Sequence, residues 1–436
     1  MTDKNPNTIH LSASAINALK ACPTRFRLAY REGLRLEEST EAQRVGTHWH
    51  AMHEVYHKAY REERTRLFAE VDAGHGVDDM IPERCHKDAY FAAIDHLNQC
   101  YSEVPSWIEP VDWDVERLIL LTSFHVYLWY YEDDPIESYG EEVRFDLPLH
   151  EPRTGMPLPL TEVVRVGMID TLVKWGGMIG NREMKSTARN ISIDSDYWDR
   201  SKKDTQVSMY ALALQDLHAS GQLPANVLAE VETAHSFGNT MYDVWKKPKK
   251  KPTGLSQKDT AAFFETKKFY DQAFDVQIEW KTIIEKKELK KSTKEIEHTV
   301  PTSVKVDGED VAFEISKTYN ATIRETPRMF AARLMDDMVK APEEYFVRKE
   351  IARSDDDIRR FRVELYRTYQ AMRAIERTGA WYENENQCRA TFKCAYIPVC
   401  YGEGADAICE NNLTPPGFRR IFNVTVNGED INDQED

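Results

Sequence analysis

Apolar and polar positions along the chain predict helices at both ends and strands in the middle. Leu11-Ser12-Ala13-Ser14 opens a helix with Ser12 or Ser14 as its N-cap, and Ile16 and Leu19 supply the apolar face. A histidine-rich helix starts at Gly46-Thr47-His48-Trp49-His50, and Pro82 to Tyr131 is helical and rich in Trp and Tyr. The spacing then changes. Tyr139–Leu149 and Leu158–Val166 alternate like strands, with a Pro/Gly turn between them. Leu172 and Val173 before Gly176-Gly177, and Met178 and Ile179 after, predict two strands joined by a tight glycine turn. A helix follows from about Lys203, and Val227–His235 reads as a strand. Gly238-Asn239 reads as a turn into Thr240–Trp245, and Gln257–Lys291 as a long charge-laced helix. Thr299–Thr318 predicts a hairpin about Asp307-Gly308, Thr326-Pro327 begins a helix to Val339, and Tyr345–Arg348 is a strand. Ser354 with Asp357 caps a last helix whose face is Ile358, Phe361, Leu365, Tyr369 and Met372. The expected fold class is α/β, a central mixed sheet flanked by helices.

The glycine-turn hairpin carries the candidate chemistry. The turn brings Asp170, early in one strand, near Glu183, late in the other. Glu183 and Lys185 are two apart on a strand and leave the same face. Two carboxylates and an amine then converge. Carboxylates collect a hard cation such as Mg²⁺, which lowers the pKa of bound water and neutralises charge on a phosphate. The outline is a hydrolytic phosphodiester site; the bland alternative is a surface hairpin with scattered charges.

Length and composition change this picture little. The 436 residues suffice for one large domain or two ordinary ones, and 41% of them are hydrophobic. No apolar run approaches bilayer length, and Met1–Asn7 is polar without a signal-peptide core, so a cytoplasmic protein without membrane partners is expected. Seven cysteines, an odd number, fit thiols or metal ligands better than a disulfide framework. The net charge of −16 argues against nucleic-acid affinity over the whole surface and leaves room for a local basic groove.

Other stretches offer further candidates. His50 and Glu54 share a helical face with His53 or His57; a zinc pair at His53 and His57 lacks a third ligand. Gln206 and Tyr210 lie one helical turn apart. Trp245-Lys246-Lys247-Pro248-Lys249-Lys250-Lys251-Pro252 is a basic loop able to grip a phosphate backbone, with Trp245 for base stacking, or else a solvated loop. Cys388, Cys394 and Cys400 follow at steps of six, with Cys409 beyond; Cys22 by itself reads as a buried apolar residue, as do Cys85 and Cys100. The late cysteines suit a structural zinc site.

Gly167-Met168-Ile169-Asp170, a turn, then Glu183-Met184-Lys185 resembles the PD-(D/E)XK nuclease superfamily in its RecB-type branch. Gly46 to His50 matches that branch's Gly-x-x-x-His, Gln206 to Tyr210 its Gln-x-x-x-Tyr, and Ser-x-Ser-x-Ile followed by Cys22-Pro23 its beginning. The resemblance implies Mg²⁺ or Mn²⁺ held by Asp170, Glu183, His50 and the carbonyl of Met184. It implies that Lys185 positions the attacking water and that Gln206 and Tyr210 brace the site. It also implies a [4Fe–4S] cluster on Cys22, Cys388, Cys394 and Cys400 that joins the two ends of the chain, thiolates alone suiting zinc equally. Both late gaps are five residues where the branch more often has Cys-x2-Cys-x5-Cys, so Cys409 competes with Cys388 for the fourth place. The expected organisation is a polar tail (1–10), one nuclease domain (11–410) and an acidic tail (411–436). Within the domain come a catalytic core (about 139–236), the basic loop (245–252), a helical insert (257–345) and a cysteine segment (379–410). The function implied is a DNA nuclease, an exonuclease on ends or single strands, standing alone or serving a helicase or other assembly. No Gly-x-x-x-x-Gly-Lys-Ser/Thr phosphate loop occurs in the chain. The alternative is a non-catalytic DNA-end-binding or assembly subunit that keeps the fold.

Overall fold

The computed structural model describes residues 8–72, 81–134, 136–289, 292–390 and 393–421. Its helices begin with α1 (Ala13–Ala21), α2 (Pro23–Phe26), α3 (Glu41–Asp72), α4 (Ile81–Cys100) and α5 (Pro110–Tyr130). They continue with α6 (Thr205–Ala219), α7 (Ala225–Val231), α8 (Gln257–Thr266), α9 (Pro327–Lys340) and α10 (Asp355–Thr378). The strands that matter here are β1 (Ile9–Leu11), β2 (Leu34–Leu36), β3 (Glu137–Pro148), β4 (Val163–Trp175), β5 (Met178–Thr187) and β6 (Ser236–Lys246).

The central sheet runs β1, β4, β5, β6 and then the strand Phe346–Ile351, with β3 paired along β4. It is mixed, as the alternating pattern predicts: β1 lies parallel to β4 and β5 parallel to β6, whereas β3, β5 and Phe346–Ile351 pair antiparallel to their partners β4, β4 and β6. Gly176 and Gly177 hold φ of 55° and 82°. Two successive left-handed residues make the tight turn whose twist matches a hairpin.

Helices cover both faces of the sheet, the layered solution that buries it. On one face α1, α6 and α10 bring Ile16, Leu19, Met209, Leu212, Phe361 and Leu365 against Ile169 and Ile179. On the other, α3, α5 and α9 bring Trp49, Phe124 and Phe330 against Met184 and Trp245. Ser12 accepts from the Ala15 amide as the cap of α1, and Ser354 with Asp357 closes a capping box on α10. Thr326 caps α9.

Four expectations are corrected. Residues 225–231 form a helix, because Val227, Leu228 and Val231 are spaced for one helical face. The expected turn at Gly238-Asn239 is a bulge inside β6: the register against β5 shifts by one there, and Gly238 takes a φ of 80°. The expected strand at 158–166 is the start of β4, which begins at Val163 and runs on through Asp170. Helix over 257–291 ends at Thr266, where Lys267 turns left-handed at φ 55°. A long hairpin, Val276–Leu289 with Ser292–Val306, follows. Val276, Ile278 and Trp280 alternate there with Gln277, Glu279 and Lys281, the period of a strand. This insert packs Phe263, Phe274, Val276, Val304, Val306 and Ile323 into a small core of its own.

The early and late described segments meet. β2 pairs antiparallel with Phe418–Arg420, and Leu28, Leu34, Tyr396, Val399 and Phe418 pack together beneath. The acidic tail residues Glu429, Asp430, Asp433, Glu435 and Asp436 lie outside the described residues, as do Met1–Asn7, Lys290, Lys291 and Phe392. No described helix is long and apolar enough to cross a membrane.

Candidate active site

β4 and β5 set the geometry. Thr171 pairs with Arg182, so the next positions down the hairpin, Asp170 and Glu183, face each other. β5 is buried from Met178 to Met184, so Glu183, 2% exposed, enters the interior at the end of an apolar strand. Its carboxylate is fully engaged: Oε1 accepts from Lys185 Nζ at 2.6 Å and Oε2 from Gln206 Nε2 at 3.0 Å. Lys185 also donates to Gln206 Oε1 at 2.9 Å. Gln206 Nε2 reaches Tyr210 Oη at 3.1 Å, and Tyr210 donates to the Met168 carbonyl at 2.7 Å. Residues from β4, β5 and α6 thus form one connected cluster.

α3 closes the site from the other side. Gly46 rests against β5, where a Cβ would lie 3.3 Å from Ser186 Oγ, and this approach brings the next turn of the helix down onto β4. His50 Nδ1 lies 3.4 Å from Asp170 Oδ2. That oxygen is buried and makes no hydrogen bond among the described residues. A cavity of about 520 Å³ opens here, with Gly46, His50, Met168, Asp170 and Met184 on its walls.

The electrostatics follow from burial. Burial pushes Glu183 up to about 7; Asp170 adds to the shift, and Lys185 opposes it. Burial works against the Lys185 charge, yet the Glu183 carboxylate beside it holds the ammonium above its ordinary value. Burial likewise raises the Tyr210 hydroxyl, with Glu183 contributing.

The donor set suits a hard cation: oxygen from Asp170 and Glu183, nitrogen from His50 and an unsatisfied Asp170 oxygen facing them. As the side chains stand, no three His, Cys, Asp or Glu among the described residues are close enough together to hold a metal ion.

Other candidates fall in different places. Trp245 is 1% exposed and stacks on Trp49 with centroids 4.3 Å apart, so it is a core residue and has no face for a base. It is the next-to-last residue of β6, and the loop begins after Lys246. Lys247 pairs with Glu41, Lys250 with Asp337 and Lys251 with Asp112, fastening the loop to α3, α9 and α5. Lys246 lies over the Tyr345 ring, and Lys249 is exposed. No zinc pair forms at His53 and His57, because the Arg182 guanidinium lies 2.6 Å from His57 Nε2 and 3.3 Å from His53 Nδ1. Burial and Arg182 hold both imidazoles neutral. Arg182 completes this buried cluster by donating to Asp243 Oδ2 at 2.9 Å.

The cysteines sort into two environments. Burial pushes Cys400 up to about 12, with Glu383, Cys22 and Cys394 adding their charges, so these thiols share one neighbourhood. The Cys22 and Cys388 thiols turn toward the carbonyls of Tyr382 and Asn384, each at 3.9 Å. Cys409 is raised by burial and by Glu32, and it packs against the same core cluster as Cys394 and Cys400. Cys85 is buried, and Cys100 is half-buried on α4.

Sequence reasoning missed Asp204. It caps α6, accepting from the amides of Gln206 at 2.7 Å and Val207 at 3.2 Å, and its other oxygen accepts from Tyr242 at 3.1 Å. An Asp immediately before a helix that carries site residues was the available signal.

The sequence model of the PD-(D/E)XK nuclease superfamily matches residues 10–401. Among curated proteins, none matches this chain.

Proposed function

The chain belongs to the PD-(D/E)XK nuclease superfamily, and on that footing we propose that it is a divalent-metal-dependent DNA nuclease, an exonuclease acting on ends or single strands. The observation that carries this reading is the Glu183–Lys185–Gln206 cluster beside Asp170, with His50 3.4 Å from Asp170 on the wall of the adjoining cavity. Asp170, Glu183, His50 and the Met184 carbonyl are the proposed ligands. Bound there, Mg²⁺ or Mn²⁺ supplies Lewis-acid stabilisation of phosphate charge and lowers the pKa of water.

The chain's own residues do the rest. The Lys185 ammonium has three donors, and Glu183 and Gln206 take two. The third is left for the attacking water or a phosphate oxygen. Attack forms one P–O bond as the P–O3′ bond breaks, leaving a 5′-phosphate and a 3′-hydroxyl. Gln206 keeps the Lys185 amine and the Glu183 carboxylate in register, and Tyr210 ties Gln206 to β4. Lys246 and Lys249 are the loop side chains proposed to meet the DNA backbone.

We also propose a [4Fe–4S] cluster on Cys22, Cys388, Cys394 and Cys400, with structural zinc as the alternative. The shared neighbourhood of Cys22, Cys394 and Cys400 supports it; the Cys394 amide donates to the Cys388 carbonyl at 2.9 Å, while Cys409 packs against the same core as Cys394 and Cys400 and competes for the fourth place. Cleavage assays with Mg²⁺ or Mn²⁺ on end-labelled single- and double-stranded DNA test the main reading. Binding without cleavage by the wild-type chain would replace it with a DNA-end-binding subunit.

A further inference from the structure

A third carboxylate stands over the cavity. Glu142 lies on β3 between Glu141, which pairs with Thr171, and Val143, which pairs with Ile169, so it sits across from Asp170. Directly opposed residues of an antiparallel pair project from the same face. Glu142 does line the cavity that His50, Asp170 and Met184 line.

One feature sets it apart from the other acids of β3. Its φ is 50°, a left-handed conformation that side-chain-bearing residues adopt at a cost and that glycine adopts freely. Its carboxylate is exposed, and no hydrogen bond or ion pair engages it among the described residues. Nothing in the packing therefore requires glutamate at this position, and the backbone disfavours it. What faces it is Asp170, whose buried Oδ2 makes no hydrogen bond. On the opposite wall of the cavity His53 is 1% exposed, and its Nε2 likewise has no partner among the described residues. Carboxylates held together without a counter-charge repel one another, and a bound cation removes that repulsion.

We propose that Glu142 is a further acidic ligand of the cation site, reaching the metal from the strand next to Asp170. This rests on the metal-dependent nuclease reading. It makes the site one charge more negative than Asp170 and Glu183 alone, which favours a divalent cation.

The test is a Mn²⁺ titration of the full chain, with free Mn²⁺ read by electron paramagnetic resonance. The variants are Asp170→Asn, Glu142→Gln, Glu142→Gly and, as a charge control, Asp146→Asn. Asp146 is an exposed acid on the same strand and outside the cavity. Glu142→Gln is expected to weaken Mn²⁺ binding about tenfold or more, and Asp146→Asn to change it less than about twofold. Glu142→Gly should lose Mn²⁺ affinity like Glu142→Gln while melting no lower than wild type, because glycine suits the left-handed backbone. If Asp170→Asn loses Mn²⁺ and Glu142→Gln does not, the inference falls and the nuclease reading stands. If Asp170→Asn binds Mn²⁺ like wild type, or wild type binds none, both fall. A Glu142→Gly protein that melts below wild type would make the residue a structural one and overturn the proposal.

Discussion

Gln206 Nε2 donates to Glu183 Oε2 across 3.0 Å, joining the first turn of a helix to the buried part of a strand. The same amide accepts from Lys185 through its other end. Gln206→Ala removes both bonds while leaving the Asp204 cap of α6 in place. Turnover should fall roughly tenfold to a hundredfold, the equivalent of one lost bond to a charged group, with DNA affinity little changed. Unchanged turnover would detach Gln206 from the site.

Glu183→Gln and Lys185→Ala are each expected to abolish cleavage with the fold and DNA binding kept. Single-turnover assays on labelled DNA check this. Either variant cleaving within about tenfold of wild type, less than ~1.4 kcal/mol of barrier, would remove the assignment.

The raised Glu183 acid has a pH signature with a definite sign. Its ordinary value is 4.5 and burial carries it to about 7 in the fold. Between those values the unfolded chain has lost the proton and the folded chain keeps it. Metal-free stability therefore falls as pH rises from about 4.5 to about 7, and is steady in this respect on either side. Melting in chelator across that range should show the fall, and Glu183→Gln should flatten it. Mn²⁺ affinity should run the other way, weakening as pH drops below about 7, since the ligand must be deprotonated.

Trp245 and Lys249 separate packing from DNA contact. Trp245→Ala should destabilise the fold by about 3–5 kcal/mol, as for a large aromatic removed from a core. Lys249→Gln should leave the melting temperature unchanged while weakening DNA binding and reducing its salt slope. A Lys249→Gln protein with the wild-type slope would return the loop to a purely structural role.

Cys22→Ala should lose visible absorbance and iron from anaerobically purified protein, and Cys85→Ala should keep both. Loss on Cys409→Ala with retention on Cys388→Ala would exchange the fourth ligand. Stoichiometric zinc in colourless protein would replace the cluster.

The hairpin and its acids were legible because their signal is local. Gly176-Gly177 requires left-handed backbone, strand alternation puts Glu183 and Lys185 on one face, and antiparallel pairing then sets Asp170 opposite Glu183. Helix caps at Ser12, Thr326 and Ser354 were legible for the same reason, since a cap bonds within one turn. The insert was not legible. Val276, Ile278 and Trp280 alternate with Gln277, Glu279 and Lys281, a strand period, but the pairing of this strand with Ser292–Val306 across the turn is what makes the hairpin.

By itself, then, the sequence determined the hairpin, the caps, the mixed α/β order and the residue types of a hydrolytic site, because each follows from backbone geometry within a few residues. Tertiary structure alone decided the roles of Trp245, Arg182, Asp204 and Glu142. Trp245 opens a basic-looking stretch but faces Trp49 because β6 runs beneath α3. Arg182 occupies the space between His53 and His57 that a metal needs. Asp204 serves the site through a helix end and a strand tyrosine. Glu142 meets Asp170 only through the register of β3 on β4. Burial and long-range register set each of these environments, and neither is encoded in the neighbouring residues.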